Sequence, residues 1–142
     1  MAEPLPPGVN AEQMADALER FRRIVGDEWV FSGEKVASYH DPYTISNDPE
    51  RYKAHAAVAP ASAEQVQEIV KVANDLRVPL WTVSRGKNFA YGGAAPVLSG
   101  SVVLDLSRMN RILEVNEKFG YALIEPGVSY FDLFSPRSWM WL

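Results

Sequence analysis

Apolar residues recur at helical spacing in two stretches of the first half of the chain. Met14, Ala17, Leu18, Phe21, Ile24 and Val25 mark one face of an amphipathic helix that ends at Gly26. Asn10 is its N-cap, with Gln13 three residues on as capping-box partner. Val66, Ile69, Val70, Ala73 and Leu76 mark a second helix, capped by Ser62 with Gln65, and ending near Arg77 ahead of Pro79. Its outer face carries Glu64, Glu68, Lys71 and Asp75. The Pro-rich residues 1–9 read as extended, Trp29–Phe31 as a short strand and Glu34–Tyr39 as a short helix. From His40 to Tyr52 periodicity is lost, and the spacing predicts a loop or an arm laid on another surface.

Ala56–Ala59, a small-residue run closed by Pro60, and Leu80–Val83 flank the second helix as strands. This is a β–α–β unit with parallel strands and a right-handed crossover. Val102–Leu106, Ile112–Val115 and Tyr121–Glu125 read as further strands. Glu117–Gly120 is the turn between the last two, which makes that pair antiparallel and the sheet mixed. Pro126-Gly127 ends the strand, and Ser129 caps a last helical turn through Tyr130, Asp132 and Leu133. The tail Ser135–Leu142 is apolar with no polar face, and by itself reads as a chain that stops too early. The fold class expected from the pattern is α+β with a mixed sheet.

The β–α–β unit delivers a glycine-rich stretch, Ser84-Arg-Gly-Lys-Asn-Phe-Ala-Tyr-Gly-Gly-Ala-Ala-Pro96, at the carboxyl end of its second strand, where ligands usually sit in such units. Gly86, Gly92 and Gly93 let the backbone approach a ligand closely. Inward-turned amides form an anion nest, and Arg85 or Lys87 adds a full charge. The stretch therefore suits a phosphate or diphosphate; the plain alternative is a Gly-rich surface loop. It is not a P-loop, because no Lys-Ser/Thr follows the second glycine. It is not a dinucleotide fingerprint either, because it leads to Pro96 and a strand rather than opening a helix.

Composition narrows the classes. A chain of 142 residues with 47% hydrophobic and 23% charged residues is an ordinary globular domain. The net charge of −4 argues against nucleic acid as partner. The absence of cysteine excludes disulfides, thiolate metal sites and a cysteine nucleophile. No basic-then-apolar leader opens the chain and no run reaches membrane-span length, so no membrane association and a cytoplasmic location are expected. His40 and His55 are too far apart, among too few organised carboxylates, to form a metal pair; solvated or capping roles are expected. Asp105 reads as a turn residue rather than a ligand-facing acid, and Glu114 and Glu125 as members of a solvated face or as neighbours of a lobe outside this chain.

Taken together, the chain from Leu5 to about Phe134 resembles the vanillyl-alcohol oxidase and p-cresol methylhydroxylase family of FAD-dependent phenol oxidases, and within it the bacterial eugenol oxidase-like enzymes. The likeness lies in Leu5-Pro-Pro-Gly-Val9, Ala63–Val70, Ser84–Pro96, Leu98–Val103, Met109–Asn116 and Tyr121–Val128. It implies the N-terminal portion of a PCMH-type FAD-binding domain. Residues 1–54 would be a helix and arm, 55–134 the first lobe, and 135–142 a non-matching tail left by truncation. It implies FAD as cofactor, its diphosphate held by Ser84, Arg85, Gly86, Lys87, Asn88, Phe89, Tyr91, Gly92 and Gly93. It further implies that Tyr91 donates a hydrogen bond to the phenolate oxygen of a para-substituted phenol, while hydride passes from the benzylic carbon to flavin N5.

Two positions depart from the family pattern: Ala90 stands where glycine is usual, and Arg85 where a small or apolar residue is usual. Arg85 either adds charge to the diphosphate site or, the reading favoured, points to solvent. In the family the substrate-binding cap lies beyond the position of Phe134, so this chain alone is not expected to catalyse. A homo-oligomer is compatible with the likeness. The competing readings are a non-catalytic phosphate- or nucleotide-binding module and an inactive fragment.

Overall fold

A computed structural model describes residues 3–39, 52–88 and 93–134. Helix α1 spans Ala11–Val25. A 3₁₀ turn at Asp27–Trp29 leads to strand β1 (Val30–Ser32) and a 3₁₀ helix at Gly33–Tyr39. Then come β2 (Ala56–Val58), α2 (Ala63–Leu76), β3 (Leu80–Val83) and β4 (Val102–Asp105). After a 3₁₀ turn at Leu106–Arg108 follow β5 (Ile112–Asn116), β6 (Tyr121–Ile124) and the short α3 (Tyr130–Phe134).

The main sheet has the order β1-β2-β4-β3. Strands β2 and β3 are both parallel to β4, which lies between them, and β1 runs antiparallel to β2. The expected parallel relation therefore holds, but through an inserted strand rather than by direct pairing. The sheet is mixed because of β1. The antiparallel pair β5–β6 forms a separate two-stranded sheet.

Strand alternation sorts the core into two layers. On one face Val30, Ala56, Val58, Val102 and Leu104 pack under α1 and α2, against Met14, Phe21, Ile69 and Ala73. On the other, Ala57, Val83 and Val103 meet Val36 and Tyr39 of the 3₁₀ helix. Every residue of β2 and β4 is buried, as central strands covered on both faces should be. Val70, placed on the inner face of α2 by its spacing, is instead 39% exposed; Ile69 and Ala73 take the buried stripe.

The helix caps join the helices as well as starting them. Asn10 Oδ1 accepts from the Gln13 amide at 2.8 Å and Gln13 Oε1 from the Asn10 amide at 3.0 Å, the full capping box. The second box forms only in half. Ser62 Oγ accepts from the Gln65 amide at 3.3 Å, but Gln65 Oε1 reaches one residue further, to the Ala61 amide at 2.7 Å. Each glutamine also bridges the two helices. Gln13 Nε2 donates to Leu76 O at 3.5 Å and Gln65 Nε2 to Ile24 O at 3.0 Å, so the start of each helix is tied to the end of the other.

The N-terminal segment lies over Gly100. A Cβ there would stand 2.4 Å from the Leu5 carbonyl carbon and the Pro6 nitrogen, and φ is +85, so glycine is required twice over. His55 fastens the same segment through a 2.8 Å contact of Nδ1 with Pro4 O.

Candidate functional site

Because β2, β4 and β3 are parallel, their carboxyl ends lie at one edge of the sheet, and β3 hands the chain there to Ser84–Asn88. This is a tight turn. The Lys87 amide donates to Ser84 O at 2.9 Å, and Asn88 Nδ2 donates back to Thr82 O at 3.1 Å. Lys87 and Asn88 are both left-handed, with φ of 47 and 58. For Lys87 that conformation costs on the order of 1 kcal/mol, which something must offset, whereas asparagine tolerates it. The amides of Arg85, Gly86 and Asn88 bond no other described residue. A Cβ on Gly86 would meet nothing within 4 Å, so open space lies beside the turn.

Of the residues singled out from sequence, Ser84 to Asn88 are thus brought together at the turn, and Gly93 is buried where the chain returns. Phe89, Tyr91 and Gly92 lie outside the described residues, as do His40 and the tail. The two cations differ. Lys87 Nζ donates to Ser38 O at 2.8 Å and stands 5.2 Å from the centroid of the Tyr39 ring. Arg85 is exposed and lines a cleft.

That cleft, ≈ 610 Å³, runs between Ser84–Gly86 and a second wall made by Pro126 and Val128–Asp132. Sequence reasoning did not find the second wall as part of a site. Its only local signal is the Ser129-x-x-Asp132 cap after Pro126-Gly127. Asp132 Oδ2 accepts from the Ser129 amide at 2.8 Å and from Ser129 Oγ at 2.7 Å, and Ser129 Oγ accepts from the Asp132 amide at 3.2 Å. These bonds, led by the Ser129 amide, hold the Asp132 carboxyl below its usual range, with a smaller contribution from the Arg85 charge.

Under the turn, Tyr39 Oη donates to Asp105 Oδ2 at 2.6 Å in a buried contact, and Asp105 Oδ1 accepts from the Ser107 amide at 2.9 Å. Burial first, then the hydrogen bond to Asp105, pushes the Tyr39 phenol well above its usual range. Asp105 is therefore the turn residue expected, with a buried partner besides.

The solvated-face reading of Glu125 needs correction. It is 8% exposed, not on a solvated face, because Arg111 encloses it. Arg111 Nη2 and Nε donate to Oε1 at 2.6 and 3.0 Å, and the Arg111 amide donates to Oε2 at 2.8 Å. Glu114 is exposed as expected and accepts from Tyr121 Oη at 2.5 Å. Among the described residues no group of three or more His, Asp or Glu side chains could hold a metal ion, and no helix is long and apolar enough to cross a membrane.

The turn fits a diphosphate. Amides that bond no other described residue, open space beside Gly86 and the exposed Arg85 guanidinium are what such a group would require. Nothing in the donor set requires a metal.

Comparison with known proteins agrees with this chemistry. Residues 54–135 match the family described as FAD binding domain. The chain is 41% identical over 135 residues to the flavoprotein subunit of 4-cresol dehydrogenase (hydroxylating) from Pseudomonas putida, covering 92% of this chain and 25% of that protein. The structure superimposes on a 4-ethylphenol oxidase from Gulosibacter chungangensis with a TM-score of 0.86 at 44% identity, covering 92% of this chain and 25% of that one. It superimposes on a p-cresol methylhydroxylase with substrate bound with a TM-score of 0.85 at 37% identity and the same coverage. The chain thus spans about a quarter of the length of these relatives, and its mixed α+β fold is that of the PCMH-type FAD-binding domain.

Proposed function

We propose, because this chain belongs to the FAD-binding-domain family and its cofactor is FAD, that it forms the diphosphate-holding lobe of an oxidoreductase acting on para-substituted phenols. The observation that carries the reading is the Ser84–Asn88 turn: amides that bond no other described residue, paired left-handed residues and an adjoining cleft at the carboxyl edge of parallel strands. Bound there, FAD supplies a two-electron acceptor, in this reading for hydride from the benzylic carbon of the phenol. The amides of Arg85, Gly86 and Asn88 donate to the diphosphate oxygens, and Arg85 adds charge from the cleft. Ser129 and Asp132 form the facing wall.

For Tyr91 the reading rests on the sequence motif. Its O–H would donate to the phenolate oxygen, a charge-assisted bond that stabilises the anionic form of the substrate. The substrate class rests on what the similar proteins are named for acting on, and oxidation is proposed for the whole protein, with FAD binding as this chain's share of it.

Titration of FAD, FMN and riboflavin into the chain, followed by flavin fluorescence, tests the reading. Saturable quenching by FAD is expected, with riboflavin weaker by about tenfold or more because it lacks the diphosphate. Equal affinity for riboflavin, or no binding at all, would sink the proposal.

A further inference from the structure

A closed circuit of contacts runs beneath the Ser84–Asn88 turn. Val83, the last residue of β3, stands in register with Asp105, the last of β4. Asp105 holds the buried Tyr39 hydroxyl at 2.6 Å. The preceding residue, Ser38, gives its carbonyl to Lys87 Nζ at 2.8 Å, and the same ammonium lies over the Tyr39 ring. The Lys87 amide then returns to Ser84, next to Val83, at 2.9 Å. Asn88 Nδ2 closes the far end of the turn onto Thr82 O at 3.1 Å.

An ammonium has three donor directions and no acceptor, and here a carbonyl and an aromatic face already engage it. Both partners belong to the 3₁₀ helix Gly33–Tyr39, which is distant in sequence and anchored from below by Asp105. A left-handed lysine is unfavourable by itself, and the contacts of its ammonium outside the turn offset that cost.

We infer that Lys87 is a positioning residue: by stapling the turn to Ser38 and Tyr39 it fixes the left-handed pair Lys87–Asn88 before any ligand arrives, and Arg85 rather than Lys87 is the cation that meets the diphosphate. The consequence for FAD rests on the function proposed above; the ordering of the turn does not.

The test is hydrogen exchange of the flavin-free chain, read on the peptide covering Ser84 to Asn88, for Lys87→Met, Lys87→Arg and Tyr39→Phe. Lys87→Met should raise exchange in the turn about tenfold while α1 and α2 keep their protection, and Lys87→Arg should restore it. Tyr39→Phe, which removes the bond to Asp105, should raise it too, and the double variant should go little beyond the larger single effect, since both break the same circuit. FAD titration should follow the same order, the dissociation constant of Lys87→Met rising about tenfold with an unchanged dependence on salt.

Unchanged exchange in Lys87→Met overturns the inference. So do additive effects of Lys87→Met and Tyr39→Phe on FAD affinity with a shallower salt dependence, which would make Lys87 a direct partner of the diphosphate. Should Tyr39→Phe not fold, the Met and Arg variants of Lys87 decide alone. If neither wild type nor variants bind FAD, the exchange data still decide the inference and the failure lies with the proposed function.

Discussion

The cleft has two walls, and they belong to regions built in different ways. The turn Ser84–Asn88 hangs from a sheet whose central strands are buried on both faces, under two helices that tie each other's ends through Gln13 and Gln65. The facing wall continues from the hairpin β5–β6, where every residue of β6 is exposed, and from α3, where Phe131 is 89% exposed. The Gly127 amide on Met109 O at 2.7 Å ties this second region back to the segment that follows β4, and the Arg111–Glu125 pair closes the base of the hairpin itself. A region held this way opens at lower free energy than one with its own core. One wall of the cleft is thus set by apolar burial, and the other by a handful of hydrogen bonds.

The largest effect is expected from breaking the first region. Phe21 is fully buried between α1, α2 and the sheet, and truncating such a side chain costs about 3–5 kcal/mol. Against a total of about 5–15 kcal/mol for a domain, Phe21→Ala should sharply lower the urea midpoint and take the hairpin with it. A loss below about 1 kcal/mol would mean that the helices do not carry the stability assigned to them here.

What could be read from the chain follows the range of the interaction. The Asn10–Gln13 box and the Ser129 cap close within three residues, and both are present as expected. The turn's place at the end of β3 was likewise legible, because β2, α2 and β3 are consecutive. The insertion of β4 between β2 and β3 was not, since strand order is decided by which apolar faces meet and not by local pattern. Gln65 looks like half of a local box, yet its side chain goes to Ala61 and Ile24 once α1 lies alongside. Glu125 reads as solvated until the hairpin brings Arg111, fourteen positions earlier, around it. Lys87 reads as a ligand cation, and the fold adds a partner forty-nine positions away, the Ser38 carbonyl, that no local pattern announces. In all three, a polar side chain finds a partner that local pattern does not supply.

A smaller and more selective effect is expected from Gly127→Ala. The added Cβ would stand 2.5 Å from Ser107 O and 2.7 Å from Met109 O, backbone atoms that cannot yield as a flexible side chain would. Forcing such an overlap costs about 1–3 kcal/mol. Hydrogen exchange should show lost protection in β5, β6 and α3, with α1 and α2 unchanged and FAD affinity reduced. If α1 and α2 lose protection equally, the two regions unfold as one unit and the contrast between the walls fails.

The smallest effect is a dependence on pH confined to the second region. Hydrogen bonds from the Arg111 side chain, then from its amide, hold the Glu125 carboxyl below its usual range, against the opposing effect of burial. A carboxyl whose folded value is depressed binds protons more weakly when folded. The stability it contributes is therefore complete above the unfolded value, about 4.3 for a glutamate, and is lost as pH falls through the depressed folded value. Protonation would remove the charge from a contact in which Arg111 is itself largely solvent-exposed. The hairpin should accordingly loosen in acid before the helices do. Glu125→Gln keeps the shape but cannot titrate, so its β5–β6 exchange should vary less between neutral and acid pH than that of the wild type. Asp132 and Glu64 are depressed as well and leave some slope in both proteins, so the informative quantity is the difference between them. An identical slope in Glu125→Gln would show that the Arg111 contact is not what fixes the second wall.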